Sequence, residues 1–114
     1  MEALDLARSL IEAIEDRKGE NIVLLDIREI AIFADYFVIC SGSSNRMLQA
    51  LVDAAREKAS DTYAVRTLIE GKPQEGWLLA DFGDVVLHVF SEDQRAYYKL
   101  EELWTEGKVL LHLQ

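Results

Sequence analysis

A strand, a turn and the start of a helix follow one another in residues 34–46, ADYFVICSGSSNR. The apolar run from Tyr36 to Cys40 has the length and residue types of a buried strand. A turn of small and hydroxyl residues follows at Ser41–Ser44, where a serine is well suited to cap a helix. The pattern therefore predicts a strand that passes through a tight turn into a helix over residues 45–60.

A second informative region, residues 75–91, reads EGWLLADFGDVVLHVFS. It predicts two strands, 77–82 and 85–90, joined by a hairpin turn at Phe82-Gly83. Apolar periodicity elsewhere predicts a helix to about residue 18 and strands over 21–27 and 63–69. A further helix is expected after Ser91, with one side formed by Ala96, Tyr97, Leu100, Leu103 and Trp104. Residues 109–113 are expected to form either an edge strand or a packed tail. We expect a single α/β domain with a mixed sheet of about five strands and helices packed on one face.

Composition limits the classes of function. With 21 acidic and 12 basic residues the net charge is −9, which disfavours direct nucleic-acid binding and would attract a basic protein surface; solubility is the simpler explanation of the same charge. The single cysteine, Cys40, indicates a reducing compartment, and neither a targeting segment nor a membrane span is apparent. We expect a cytoplasmic protein.

Catalytic and metal-binding patterns are weak in this chain. The Ser41–Ser44 turn could hold a phosphate at a helix N-terminus, but residues 63–69 lack the paired carboxylates that metal-dependent phosphoryl transfer requires. Neither His88 nor His112 has other ligands at metal-binding spacing, and a buried Cys40 would be a poor nucleophile. We expect no catalytic residues, no metal and no cofactor.

The hairpin makes a sharper prediction. With the turn at Phe82-Gly83, Asp81 would oppose Asp84, Leu79 would oppose Val86, and Trp77 would oppose His88 on one sheet face. A tryptophan among aliphatic residues and carboxylates is typical of a protein-binding hot spot. Alternatively, the last helix or the tail covers this face and Trp77 is a core residue.

The chain resembles the ribosomal silencing factors, or Iojap-like proteins. The resemblance rests on ordered blocks at 34–39 (ADYFVI), 41–43 (SGS), 75–77 (EGW), 81–86 (DFGDVV), 88–90 (HVF) and 100–104 (LEELW). It implies a silencing-factor domain over residues 1–104, followed by a tail over 105–114. It also implies a nucleotidyltransferase-like topology without the catalytic carboxylates.

The resemblance further implies a translational repressor that is often a homodimer when free. Such a protein binds the large ribosomal subunit through ribosomal protein uL-fourteen at the intersubunit face and sterically blocks joining of the small subunit. The partner-binding residues carried over are Trp77 and Asp81 first, then Leu79, Asp84 and His88. Two alternatives stay open: a small nucleotide- or phosphate-processing enzyme that uses the Ser41–Ser44 turn, and a homodimeric assembly module.

Overall fold

The chain folds into three α-helices and six strands among the described residues. The computed structural model describes residues 2–99, residue 102 and residues 106–114. In chain order the elements are α1 (Ala3–Asp16), β1 (Glu20–Asp26), β2 (Tyr36–Gly42), α2 (Asn45–Tyr63), β3 (Leu68–Lys72), a short 3-10 helix (Pro73–Glu75), β4 (Trp77–Asp81), β5 (Val85–Ser91), α3 (Glu92–Tyr98) and β6 (Lys108–Leu113). Within the described residues, no helix is long and apolar enough to span a bilayer.

The strands form one mixed sheet in the order β3-β4-β5-β2-β1-β6. β2 and β5 run parallel, and every other pair of neighbours is antiparallel. The predicted single α/β domain with a mixed sheet is confirmed. The sheet has six strands rather than about five, because Lys108–Leu113 pairs with β1 and adds an edge strand. The nucleotidyltransferase-like topology stays a prediction.

The first two helices cover one face of the sheet. Their apolar residues recur every three or four positions, so each helix presents one stripe to the sheet. The core between these layers includes Leu6, Leu10, Ile14, Leu48, Leu51, Val38, Leu78, Leu87 and Val89. The sheet face turned away from α1 and α2 is called the open face below.

The third helix lies on the open face, so the expectation that all helices pack on one face was wrong. The side chain of Arg95 is buried there and donates to the Ser41 hydroxyl at 2.8 Å and to the Asn21 carbonyl at 2.7 Å. The ring of Tyr98 packs against Phe90 with centroids 5.9 Å apart. These contacts, which no helical periodicity encodes, hold α3 against the side of the sheet opposite α1 and α2.

The second helix is longer than predicted and the next strand begins later. α2 continues to Tyr63, and β3 starts at Leu68 instead of residue 63. The Tyr63 hydroxyl lies 2.8 Å from the Ser9 hydroxyl on α1, and this tertiary contact favours the helical extension. Ala64 then ends the helix in the left-handed conformation, with φ of 55°.

The β4–β5 hairpin turns one residue later than predicted. The Phe82 amide donates to the Val85 carbonyl at 2.9 Å, so Gly83 and Asp84 form the turn. Gly83 has φ of 98°, a conformation that glycine adopts without steric cost. Phe82 is buried in the core beneath α1 and α2, where a residue at the turn could not reach. Burial of this ring explains the shifted turn.

The later turn moves the strand register by two residues. Asp81 pairs with Val86, Leu79 with His88, and Trp77 with Phe90. Since a shift of two preserves the face of every side chain, the predicted division between the two faces holds. The expected opposition of Asp81 and Asp84 was wrong.

The last described helix is short. Ser91 caps α3 by accepting a hydrogen bond from the Gln94 amide, as the sequence predicted, at 3.2 Å. The helix ends after Tyr98, because Lys99 adopts the left-handed conformation with φ of 50°. The predicted continuation through Leu100, Leu103 and Trp104 lies outside the described residues.

Candidate protein-binding face

The open face of the hairpin gathers four of the five predicted partner-binding residues. Trp77, Leu79 and Asp81 alternate along β4, and all three are partly exposed. His88 shares their face on β5 and lies directly opposite Leu79. The fifth residue, Asp84, is exposed in the hairpin turn at the end of this face.

A continuous aromatic row crosses the open face. Its members are Phe33, Phe37, His88, Trp77, Phe90, Tyr98 and Tyr97. The ring centroids of Phe33 and Phe37 are 5.8 Å apart, those of Phe37 and His88 4.7 Å, and those of His88 and Trp77 6.2 Å. Beyond Trp77, the centroid distance is 5.0 Å to Tyr98, and from Tyr98 to Tyr97 it is 5.2 Å. The Phe90 ring stacks beside Trp77 at 5.5 Å. Such spacings are those of interacting aromatic pairs. The row is buried in the middle and exposed at both ends.

The exposed ends of the row, Phe33 and Tyr97 with Tyr98, are not among the predicted partner-binding residues. Phe33 lies in a loop and is 67% exposed, and Tyr97 and Tyr98 on α3 are 68% and 50% exposed. Period-two alternation along β2 could have placed Phe37 on the open face. No local pattern could have placed the loop or α3 there, because both are held by contacts distant in sequence.

Trp77 is neither a fully exposed hot-spot residue nor a fully buried core residue, the two alternatives that the sequence left open. The ring of Tyr98 covers part of it, with centroids 5.0 Å apart, so α3 does lie over this face. Trp77 nevertheless stays partly exposed, and its indole nitrogen has no hydrogen-bond partner among the described residues. Trp77 therefore lies at the edge of a second, smaller core on the open face, which includes Phe37, Ile39, Val86 and Phe90.

His88 is a buried residue rather than a surface group. It is 6% exposed and lies among the rings of Phe37, Trp77 and Phe90. In the described part of the chain neither ring nitrogen has a hydrogen-bond partner, and burial lowers the pKa of His88 to about 4. The imidazole is therefore neutral at pH 7, and its ring packs against the buried side of the Trp77 indole.

Two carboxylates border the face without neutralising partners. Asp81 accepts a hydrogen bond from the Gly83 amide at 2.8 Å, and Asp84 is exposed. Across the residues that the structure describes, neither forms an ion pair with a basic side chain. The negative charges of both residues are therefore available to a basic partner.

The Ser41–Ser44 turn serves the fold. Ser44 caps α2 by accepting from the Met47 amide at 3.1 Å, and the Ser41 hydroxyl is bound by Arg95. Any side chain at Gly42 would crowd Leu48, so close packing accounts for this glycine. The neighbouring hollow is bordered by the carboxylates of Glu20, Glu92 and Asp93, which repel phosphate.

Other candidate chemistry is also weak. Cys40 is fully buried, and burial raises the pKa of its thiol to about 12, so it carries almost no thiolate. Within the described ranges, no three His, Cys, Asp or Glu side chains are grouped to hold a metal ion.

The fold and this face define a small α/β domain with an acidic, aromatic surface on one side of its sheet. The family model described as "Ribosomal silencing factor during starvation" matches residues 1–113. The chain belongs to this family, the ribosomal silencing factors or Iojap proteins. They are ribosome-binding factors without enzymatic activity, which confirms the prediction that the chain is not an enzyme.

Individual relatives agree with this assignment. The ribosomal silencing factor of Bacillus subtilis is 41% identical over 95 residues, which cover 83% of this chain and 80% of that protein. A crystal structure from Chromobacterium violaceum matches with a TM-score of 0.86 and 35% identity, covering 92% of this chain and 88% of that one. A mouse relative, 34% identical over 84% of this chain and 43% of its own length, is named mitochondrial assembly of ribosomal large subunit protein 1.

Burial of His88 predicts a pH-dependent stability. The folded-state pKa is about 4, whereas the unfolded imidazole titrates near 6.5, so protons favour the unfolded chain between these values. The stabilisation is complete above pH 6.5 and is lost as pH falls towards 4. Urea unfolding should show a loss of about 3 kcal/mol over this window beyond that of a His88→Leu variant. If the free energy of unfolding of the two proteins depended on pH in the same way, His88 would not be buried and neutral in the folded state.

Proposed function

We propose that this chain is a cytoplasmic translational repressor that binds the large ribosomal subunit and sterically blocks joining of the small subunit. The contact is with ribosomal protein uL-fourteen at the intersubunit face. Membership of the silencing-factor family supports this proposal, and so does the mouse relative's name, which includes the large ribosomal subunit. The observation that carries it is the acidic, aromatic open face.

The composition of this face fits a basic protein partner. Trp77 and Leu79 offer partly exposed apolar surface, and interface hot spots are enriched in such aromatic anchors. Asp81 and Asp84 lie beside them without ion pairs among the described residues, so basic side chains of a partner could pair with both. His88 contributes from beneath by holding the indole of Trp77 in place, with ring centroids 6.2 Å apart.

Repression through this contact requires no bond chemistry. The described domain measures 34 × 32 × 24 Å between its Cα extremes, and a body of this size on a subunit interface excludes the opposing surface. Occupancy of the large subunit then depends only on the concentration of this protein relative to its Kd and on competition from the small subunit. A buried thiol, a neutral histidine and a serine turn occupied by Arg95 agree with such a passive mechanism.

Trp77→Ala should weaken binding to purified large subunits by about 2 kcal/mol or more, roughly a 30-fold rise in Kd, because it removes the central anchor. Sedimentation of labelled protein with the subunits measures the change. Tyr63→Ala is the matched control, since Tyr63 is also a partly buried aromatic residue but packs against α1 on the other side of the sheet. The site assignment is wrong if the folded Trp77→Ala protein binds as well as the parent.

Asp84→Lys should mainly slow association with the large subunit, by several-fold at low salt, since charges at the edge of an interface act on encounter more than on residence. The exposed Asp61 on α2 allows a matched control, because Asp61→Lys makes the same change in net charge away from the open face. Stopped-flow binding over a salt series separates the two variants. Equal association rates would show that net charge alone matters.

We also propose that the free chain forms a homodimer through the open face, whose exposed aromatic rings would otherwise contact water. The carboxylates of two copies repel each other, so this pairing should be weak and should yield to a basic partner. Light scattering should show that the wild-type protein is dimeric and that the Trp77→Ala variant dissociates into monomers at a higher protein concentration than the wild type. An unchanged dimer would place its interface elsewhere.

A further inference from the structure

The loop between β1 and β2 presents two large apolar side chains to solvent. Ile32 is 106% exposed, and the adjacent Phe33 is 67% exposed. No other large apolar side chain in the described residues is as exposed as Ile32. Isolated exposed apolar residues are common, but a fully exposed isoleucine beside an exposed phenylalanine forms a patch that needs an explanation.

The loop is anchored at its base, so the tip is held in a defined position. Ile27 and Ala34 are both buried in the second core, and the Ile27 amide donates to the Asp35 carbonyl at 3.0 Å. Between them, the amides of Ile30 and Ala31 donate to the Ile27 carbonyl in a hydrogen-bonded turn. Ile32 and Phe33 are therefore displayed on a closed loop.

The same loop is tied to the β4–β5 hairpin. The carbonyl of Asp84, in the hairpin turn, accepts hydrogen bonds from the amides of Asp35 and Tyr36 at 2.7 and 3.1 Å. The Phe33 ring also begins the aromatic row, which continues through Phe37 to His88 and Trp77. The tip and the proposed docking face are thus parts of one continuous surface.

Charge around the tip distinguishes between two kinds of partner. Glu29 and Asp84 are exposed and Asp35 is partly exposed, whereas Arg28 is engaged by Asp26 at 2.8 Å. A second copy of this chain would bring its own carboxylates against these, within a chain of net charge −9. A basic partner would neutralise them, so the charges favour a different, basic protein.

We propose that Ile32 and Phe33 form a second anchor of the docking surface, which enters an apolar recess bordered by basic side chains on the same large-subunit protein that Trp77 contacts. This inference rests on the proposed function. It makes the interface bipartite, with one anchor on β4 and one on the β1–β2 loop. The hydrogen bonds at Asp84 keep the two anchors in a fixed relation, which favours simultaneous binding without an ordering cost.

Ile32→Ser tests the second anchor cleanly, because a fully exposed side chain contributes almost nothing to folding. Loss of its burial on binding should raise the Kd for purified large subunits roughly tenfold or more, with no change in thermal unfolding. Leu110→Ser is the matched control: Leu110 is an exposed aliphatic residue on β6, the edge strand farthest from β4. The control should bind like the parent.

The outcomes separate this inference from the proposed function. A weakened Ile32→Ser with an unaffected Leu110→Ser supports the second anchor. If Ile32→Ser binds like the parent while Trp77→Ala is weakened, the second anchor is wrong and the proposed function stands. If wild-type protein does not bind large subunits, both fail. If Ile32→Ser alters only dimerisation in light scattering, the loop contacts a second copy and the inference is overturned.

Discussion

Parallel pairing of β2 with β5 is the contact on which the rest of the structure depends. Their register runs from Tyr36 opposite Val85 to Gly42 opposite Ser91. Every residue of β2 and all but the last of β5 are buried, so these strands supply apolar side chains to both faces of the sheet. The pairing joins the amino-terminal part of the chain to the hairpin, and each half covers apolar surface that the other would leave in water.

This central pairing also assembles the proposed docking surface. Phe37 comes to lie 4.7 Å from His88, so the loop before β2 meets the hairpin after α2. The end of β5 directs α3 onto the open face, where Arg95 binds Ser41 at the end of β2. A row of rings from one loop, three strands and a helix is the consequence. None of these elements would present that row alone.

The open face has a cost in stability. The Trp77 indole nitrogen and both His88 ring nitrogens are buried without partners among the described residues, and each such group costs about 1–3 kcal/mol. The exposed side chain of Ile32 and the exposed carboxylate of Asp84 on the same side contribute little to the folded state. Three of the four buried, unpartnered side-chain nitrogen and oxygen atoms among the described residues belong to Trp77 and His88, which agrees with a binding role for the open face.

Local residue patterns by themselves determined the strands β1, β2, β4 and β5, the helix caps at Ser44 and Ser91, and the separation of Leu78 and Ala80 from Trp77 and Leu79 on opposite faces. Period-two alternation and hydroxyl capping act over a few residues, so they are legible in one sequence. The tertiary structure alone decided the hairpin register, the end of α2 and the side on which α3 lies. Those depended on the burial of Phe82, the contact of Tyr63 with Ser9, and the reach of Arg95 to Ser41. Each joins residues distant in the sequence or in separate layers, and its free energy exists only once the sheet has formed.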